Sequence, residues 1–98
     1  MKKATITKEK IVVAAVHIAV KVGYDKATRR EISVQAGVKP ATVSHHLGDM
    51  VNVRKYIMRR AVRDGNAAVV GQGLADGNTI ARKAPEELKD AAFALMRG

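Results

Sequence analysis

The sequence predicts an all-α fold, a helix-turn-helix bundle with an added C-terminal helix. Three observations carry it. Ile11, Ala14, Ala15, Ile18, Ala19 and Val22 recur at the spacing of one helical face. The stretch 28–47, TRREISVQAGVKPATVSHHL, holds a helix start, a glycine stop and a second helix start. Leu88, Ala91, Ala92, Leu95 and Met96 then repeat at helical spacing after Pro85, with Glu86 and Glu87 where a helix dipole favours acid.

The first helix is expected over about 8–22, with Thr7 as N-cap and residues 1–6 as a flexible basic arm. Lys2 and Lys3 in that arm could track phosphates, or the arm could be a terminus without a role. Val12, Val13, Val16 and Val20 are apolar as well, so this helix reads as buried on more than one side. The surplus valines call for a further cover, from the C-terminal segment or from a partner subunit. Valine also favours strands, but fifteen residues without a turn signal favour the helix. Tyr24, in the connection that follows, is expected in the core.

Thr28 and Glu31 have the spacing of a capping box, so the second helix is expected over about 29–36. Gly37 can take the positive φ that ends it. Pro40 suits the first position of the next helix, about 40–47, whose Val43 and Leu47 face inward. Helix, glycine turn, helix is the plan in which a second helix enters a DNA major groove. Lys39, Pro40 and Ala41 then point outward at the end where base edges are reached. Lys39 could donate to guanine, Ala41 could touch a thymine methyl, and Ser44 and His45 could donate to bases or phosphates. Arg29 and Arg30 stand in a first helical turn, against the dipole, which suggests a nearby anion such as phosphate.

The charge agrees with this reading. Residues 1–63 carry 14 Lys/Arg and 4 Asp/Glu, a net of +10, whereas residues 64–98 carry 4 and 5, a net of −1. Basic charge coincident with the motif is the expected footprint of a phosphate-binding face. His45 and His46 are adjacent and point about 100° apart on a helix, so they do not chelate one ion together. One is expected buried and one on the surface. No metal or other cofactor is expected.

The region from about Thr7 to Ile57 resembles the DNA-binding domain of the tetracycline-repressor (TetR) family. The matching pieces are Gly23-Tyr24, Thr28 with Ile32, Ala36-Gly37-Val38, Thr42-Val43, His46-Leu47 and Asp49. The resemblance implies that Thr42 and His46 bind phosphate and that Arg30 can reach a base. It also marks two departures: Ser44 stands where the family usually has an aromatic, and Met50 where it usually has a lysine.

A fourth helix is expected from after Asp49 to about Asp64, with Val53, Ile57 and Ala61 as its apolar edge. Lys55, near its start, is the cation expected to reach DNA; Arg59, Arg60 and Arg63 are expected on a solvated face. Residues 1–64 thus form the helix-turn-helix domain. Residues 65–98 form a C-terminal linker and helix for dimerisation or for covering the core. The fourth helix could continue to Val70, and 71–78 reads as a flexible or turning link.

These readings point to a homodimeric, sequence-specific regulator of transcription, a repressor on a palindromic DNA site. Two alternatives remain: a non-specific architectural DNA binder and a helix-turn-helix protein-interaction module. No enzyme is expected, because the chain has no cysteine, no general acid–base pair and no phosphate loop after a strand. The apolar run 11–16 is too short for a membrane span, and a cytoplasmic, nucleoid-associated bacterial protein is expected. Full-length TetR-family members carry a large ligand-binding domain. Only some 30 residues follow the fourth helix here, so no small-molecule inducer is expected. The size suits a plasmid or phage regulator.

Overall fold

The computed structural model describes residues 2–97, and Met1 of the expected basic arm lies outside the described residues. Every regular element among them is a helix: α1 (Lys3–Val22), α2 (Arg29–Ala36), α3 (Pro40–Leu47), α4 (Met50–Asp64), α5 (Ala67–Ala75), α6 (Thr79–Arg82) and α7 (Glu86–Arg97). The all-α class expected from the helical periods is the class observed.

Helix α1 begins four residues before the expected cap. Thr7 is not its N-cap but an interior residue, whose hydroxyl donates to the Lys3 carbonyl at 3.0 Å. Nothing in Lys3–Ile6 breaks a helix, so the expected arm winds into the first turn. Ile11, Val12, Ala14, Ala15, Ile18 and Ala19 form the buried face. Val13 and Val20 remain exposed, so α1 is not covered all round. The reason lies in the C-terminal segment. Its α5 meets α1, with Gln72 Nε2 donating to the Ala19 carbonyl at 3.0 Å, while α7 packs on α5 instead.

The α2 capping box forms as its spacing requires. Thr28 Oγ1 accepts from the Glu31 N–H at 3.1 Å, and Glu31 Oε1 accepts from the Thr28 N–H at 3.0 Å. Gly37 ends the helix at φ 70°, ψ 34°, a left-handed conformation that a Cβ would penalise. The Val38 N–H then closes on the Ser33 carbonyl at 3.0 Å, completing a Schellman turn. Ser33 is itself buried, its hydroxyl donating to the Arg30 carbonyl at 2.7 Å. Asp49 caps α4 through the Asn52 N–H at 2.9 Å, and Asn52 Nδ2 reaches back to the Leu47 carbonyl at 2.8 Å. One side chain thereby fixes the end of α3 against the start of α4.

Beyond α4 the chain turns instead of continuing. The Asn66 N–H closes on the Ala61 carbonyl, and Asn66 Oδ1 caps α5 through the Val69 N–H. The same device recurs at Gly77-Asn78, where Asn78 Oδ1 accepts from Ile80 and Ala81. Residues 71–78 are therefore not a loose link. They complete α5 and its Schellman turn, and Val69, Val70 and Ala81 join the same core as Ile11, Ile32, Val53 and Ile57. Gly73 is small because α5 lies tight against its neighbours. A Cβ there would come within 2.6 Å of Met58 Cε and 2.7 Å of Ala81 Cβ.

Helix α7 is the outlier. Ala92 is its buried residue, while Phe93, Leu95 and Met96 are exposed, Leu95 by 61%. No helix among the described residues is long and apolar enough to cross a membrane.

Candidate nucleic-acid interface

Burial of one side of α3 decides what its other side can offer. Val43 and Leu47 are wholly buried against the core, and Ile32 and Ala36 anchor α2 beside them. Lys39, Pro40, Ala41 and His45 are consequently exposed, with Thr42, Ser44 and His46 half-buried between the two sides. The outward set expected from the sequence is thus brought onto one short helix. Lys39 lies at the N-cap of α3 and offers no side-chain cap, so its ammonium is free to reach outward.

The two histidines stack edge to face, with ring centroids 5.1 Å apart and planes at 81°. His46 is half-buried and not fully buried as expected, because α3 ends one residue later and leaves the ring partly open. No group of three metal-ligating side chains occurs among the described residues.

Arg30 and Lys55 are exposed, and Arg29 is half-buried. The Nε of Arg29 is buried without a hydrogen-bond partner, as is that of Arg54 on α4. An orphaned guanidinium nitrogen is costly unless something else satisfies it. Residue spacing alone does not reveal an orphaned nitrogen of this kind.

Three of the four acids of residues 1–63 are already committed, and the fourth, Asp25, is exposed. Glu31 serves the capping box, Asp49 caps α4, and Glu9 holds Arg60 through two contacts of 2.6 and 2.7 Å. Among the described residues, Arg29, Arg30, Lys39 and Lys55 form no ion pair with any of them. Their charge is therefore not cancelled internally. Such a surface attracts anions and would lend α3 its phosphate-facing border.

Arg60 departs from its expected place on a solvated face. Its side chain is 12% exposed and lies between Glu9 of α1 and the body of α4. The bond to Arg60 holds the Glu9 carboxyl below its ordinary value, and the Arg60 and Arg63 charges add to this. Tyr24 is buried as expected. Burial, and then its bond to Asp76, push its phenol up to about 12.

Compared with known proteins, the chain matches no family model, no curated protein and no solved structure.

Proposed function

We propose that this chain is a DNA-binding regulator of transcription of the TetR-like helix-turn-helix kind. It would act as a homodimer on a palindromic site and repress by occupancy. The observation that carries the reading is the exposed N-terminal end of α3 bordered by unpaired cations: Lys39, Pro40 and Ala41 outermost, with Arg29, Arg30 and Lys55 on flanking helices. Thr42, Ser44, His45 and His46 supply polar atoms along the same helix. Lys39 would read a guanine edge, Ala41 a thymine methyl, and the arginines, Thr42 and His46 would hold phosphates.

Dimerisation is supported by α7. It exposes Leu95 and Met96 beside the small residues Ala67, Ala68, Gly71 and Ala75 of α5, with Phe93 exposed elsewhere on the helix, a surface on which a second copy could pack closely. Two recognition helices would then reach half-sites about one helical turn, ~34–36 Å, apart.

Selection of bound duplexes from a random library at physiological salt tests the reading. An enriched palindrome with that spacing is the expected result. Binding without enrichment would replace it with a non-specific architectural role, and absence of binding with a protein-interaction role.

A further inference from the structure

A second cationic feature lies away from α3. Helix α1 and the later turns of α4 enclose an open cleft of about 270 Å³, lined by Lys8 and Glu9 from α1 and by Tyr56, Arg59, Arg60 and Arg63 from α4. Arg63 lies 14 residues past Asp49, about 20 Å along the helix from the α3–α4 turn.

The cations of this cleft are fixed to different degrees. Glu9 takes both terminal nitrogens of Arg60. Asp64, at the cleft edge, lies 3.2 Å from Arg63 and 3.9 Å from Arg60. Two acids thus offset two arginines. Lys8 and Arg59 have no acidic partner among the described residues. Lys8 is nevertheless held in position, its Nζ 4.8 Å from the centre of the Tyr56 ring. Cations from two helices therefore converge on one recess, with a surplus of two charges. Self-repulsion would spread such charges apart unless an anion occupied the recess, and low-dielectric walls focus their field inward.

We propose that the α1–α4 cleft binds a compact polyphosphate group, that is, a free inorganic or nucleoside di- or triphosphate. Arg59 and Lys8 supply the uncompensated charge. Arg60, oriented by Glu9, and Tyr56, beneath Lys8, shape the floor. A triphosphate concentrates several charges within one recess. Duplex DNA instead spreads single charges along its length, one per ~1.7 Å of axis over two strands. The two uncompensated cations, Lys8 and Arg59, come from different helices and face one recess, which suits a compact anion better than an extended backbone.

The proposal does not depend on the DNA reading, and its test separates the two. Sodium tripolyphosphate is titrated into the full chain by calorimetry at low ionic strength. Binding is expected, weakened at least tenfold in a Lys8→Gln/Arg59→Gln double variant. It should be unchanged within twofold in Lys21→Gln/Lys26→Gln, which removes the same charge elsewhere. Arg59→Gln alone, at an exposed position, should give an intermediate loss and guards against misfolding of the double variant. Absence of binding, or equal weakening in both double variants, overturns the proposal. In a parallel titration with duplex DNA, unchanged affinity in Lys8→Gln/Arg59→Gln supports a free polyphosphate. A fall in DNA affinity with tripolyphosphate binding intact would instead assign the cleft to a DNA backbone track and overturn it.

Discussion

The Tyr24 hydroxyl donates a 2.6 Å hydrogen bond to Asp76 Oδ2, 52 residues further along the chain. The Tyr24 N–H also donates to Gln72 Oε1 at 2.8 Å. The turn between α1 and α2, which sets where α2 begins, is thereby clamped to the end of α5. The C-terminal half is thus part of what orients the helix-turn-helix unit.

Tyr24→Phe should cost about 1 kcal/mol, below the full value of a bond to a charged acceptor because Asp76 is exposed. Urea denaturation measures it. The pH dependence has a definite sign. The folded phenol titrates near 12 against an ordinary value of 10, so its contribution is intact below about pH 10. It is lost as pH rises through the folded value. The stability gap between wild type and Tyr24→Phe should be flat to pH 10 and shrink above it; a gap that widens there contradicts the clamp.

Gly73→Ala should destabilise by about 1–3 kcal/mol through overpacking, although alanine is the better helix former by about 1 kcal/mol. The new methyl would meet the end of Met58 and the Ala81 Cβ. In a Met58→Ala background the cost should fall, because one of those neighbours is gone. A thermal-denaturation double-mutant cycle measures the coupling, and strict additivity would mean that α5 relaxes away from α4.

Glu9 and Arg60 bind α1 to α4, and the carboxyl titrates below its ordinary value because Arg60 donates to it. This contribution is present above about pH 4.5 and is lost as pH falls through the folded value. Glu9 is half exposed, so Glu9→Gln should cost no more than about 1 kcal/mol at pH 7. Denaturation midpoints of the two proteins should converge as pH falls below the folded value. Equal separation at all pH values would mean that packing, not charge, is what the substitution removes.

The legible parts of this fold are those written in local chemistry. Thr28 with Glu31, Gly37, Pro40 and Asp49 each act on backbone groups within a turn, so their spacing marks α2, α3 and the start of α4 directly. The outward set of α3 follows from the burial of Val43 and Leu47. The start of α1 was obscured because Thr7 suits a cap equally well as a residue and nothing local forbids the helix earlier. Residues 71–78 read as a flexible or turning link because of their glycines, whereas they hold the end of α5 and its turn. Gly65-Asn66 and Gly77-Asn78 each stop one helix and cap the next, a paired signal available in the sequence. Gly73 answers only to Met58 and Ala81, which no local pattern connects to it. The partners of Arg60 and Tyr24 were likewise hidden, since each lies some fifty residues away.

Under the proposed DNA-binding reading, Lys39 and Lys55 would have different roles. Lys39 stands at the exposed N-cap of α3 and would reach a base edge, whereas Lys55 lies on the second turn of α4 and would hold a phosphate. Lys39→Ala should cost about 1–3 kcal/mol on the selected duplex and relax preference at one base position. Lys55→Ala should weaken cognate and random duplexes alike and lower the salt slope by about 1. Fluorescence anisotropy across a salt series measures both. If Lys39→Ala reduces cognate and random binding equally, Lys39 is a phosphate contact, and base reading passes to Ala41, Ser44 and His45.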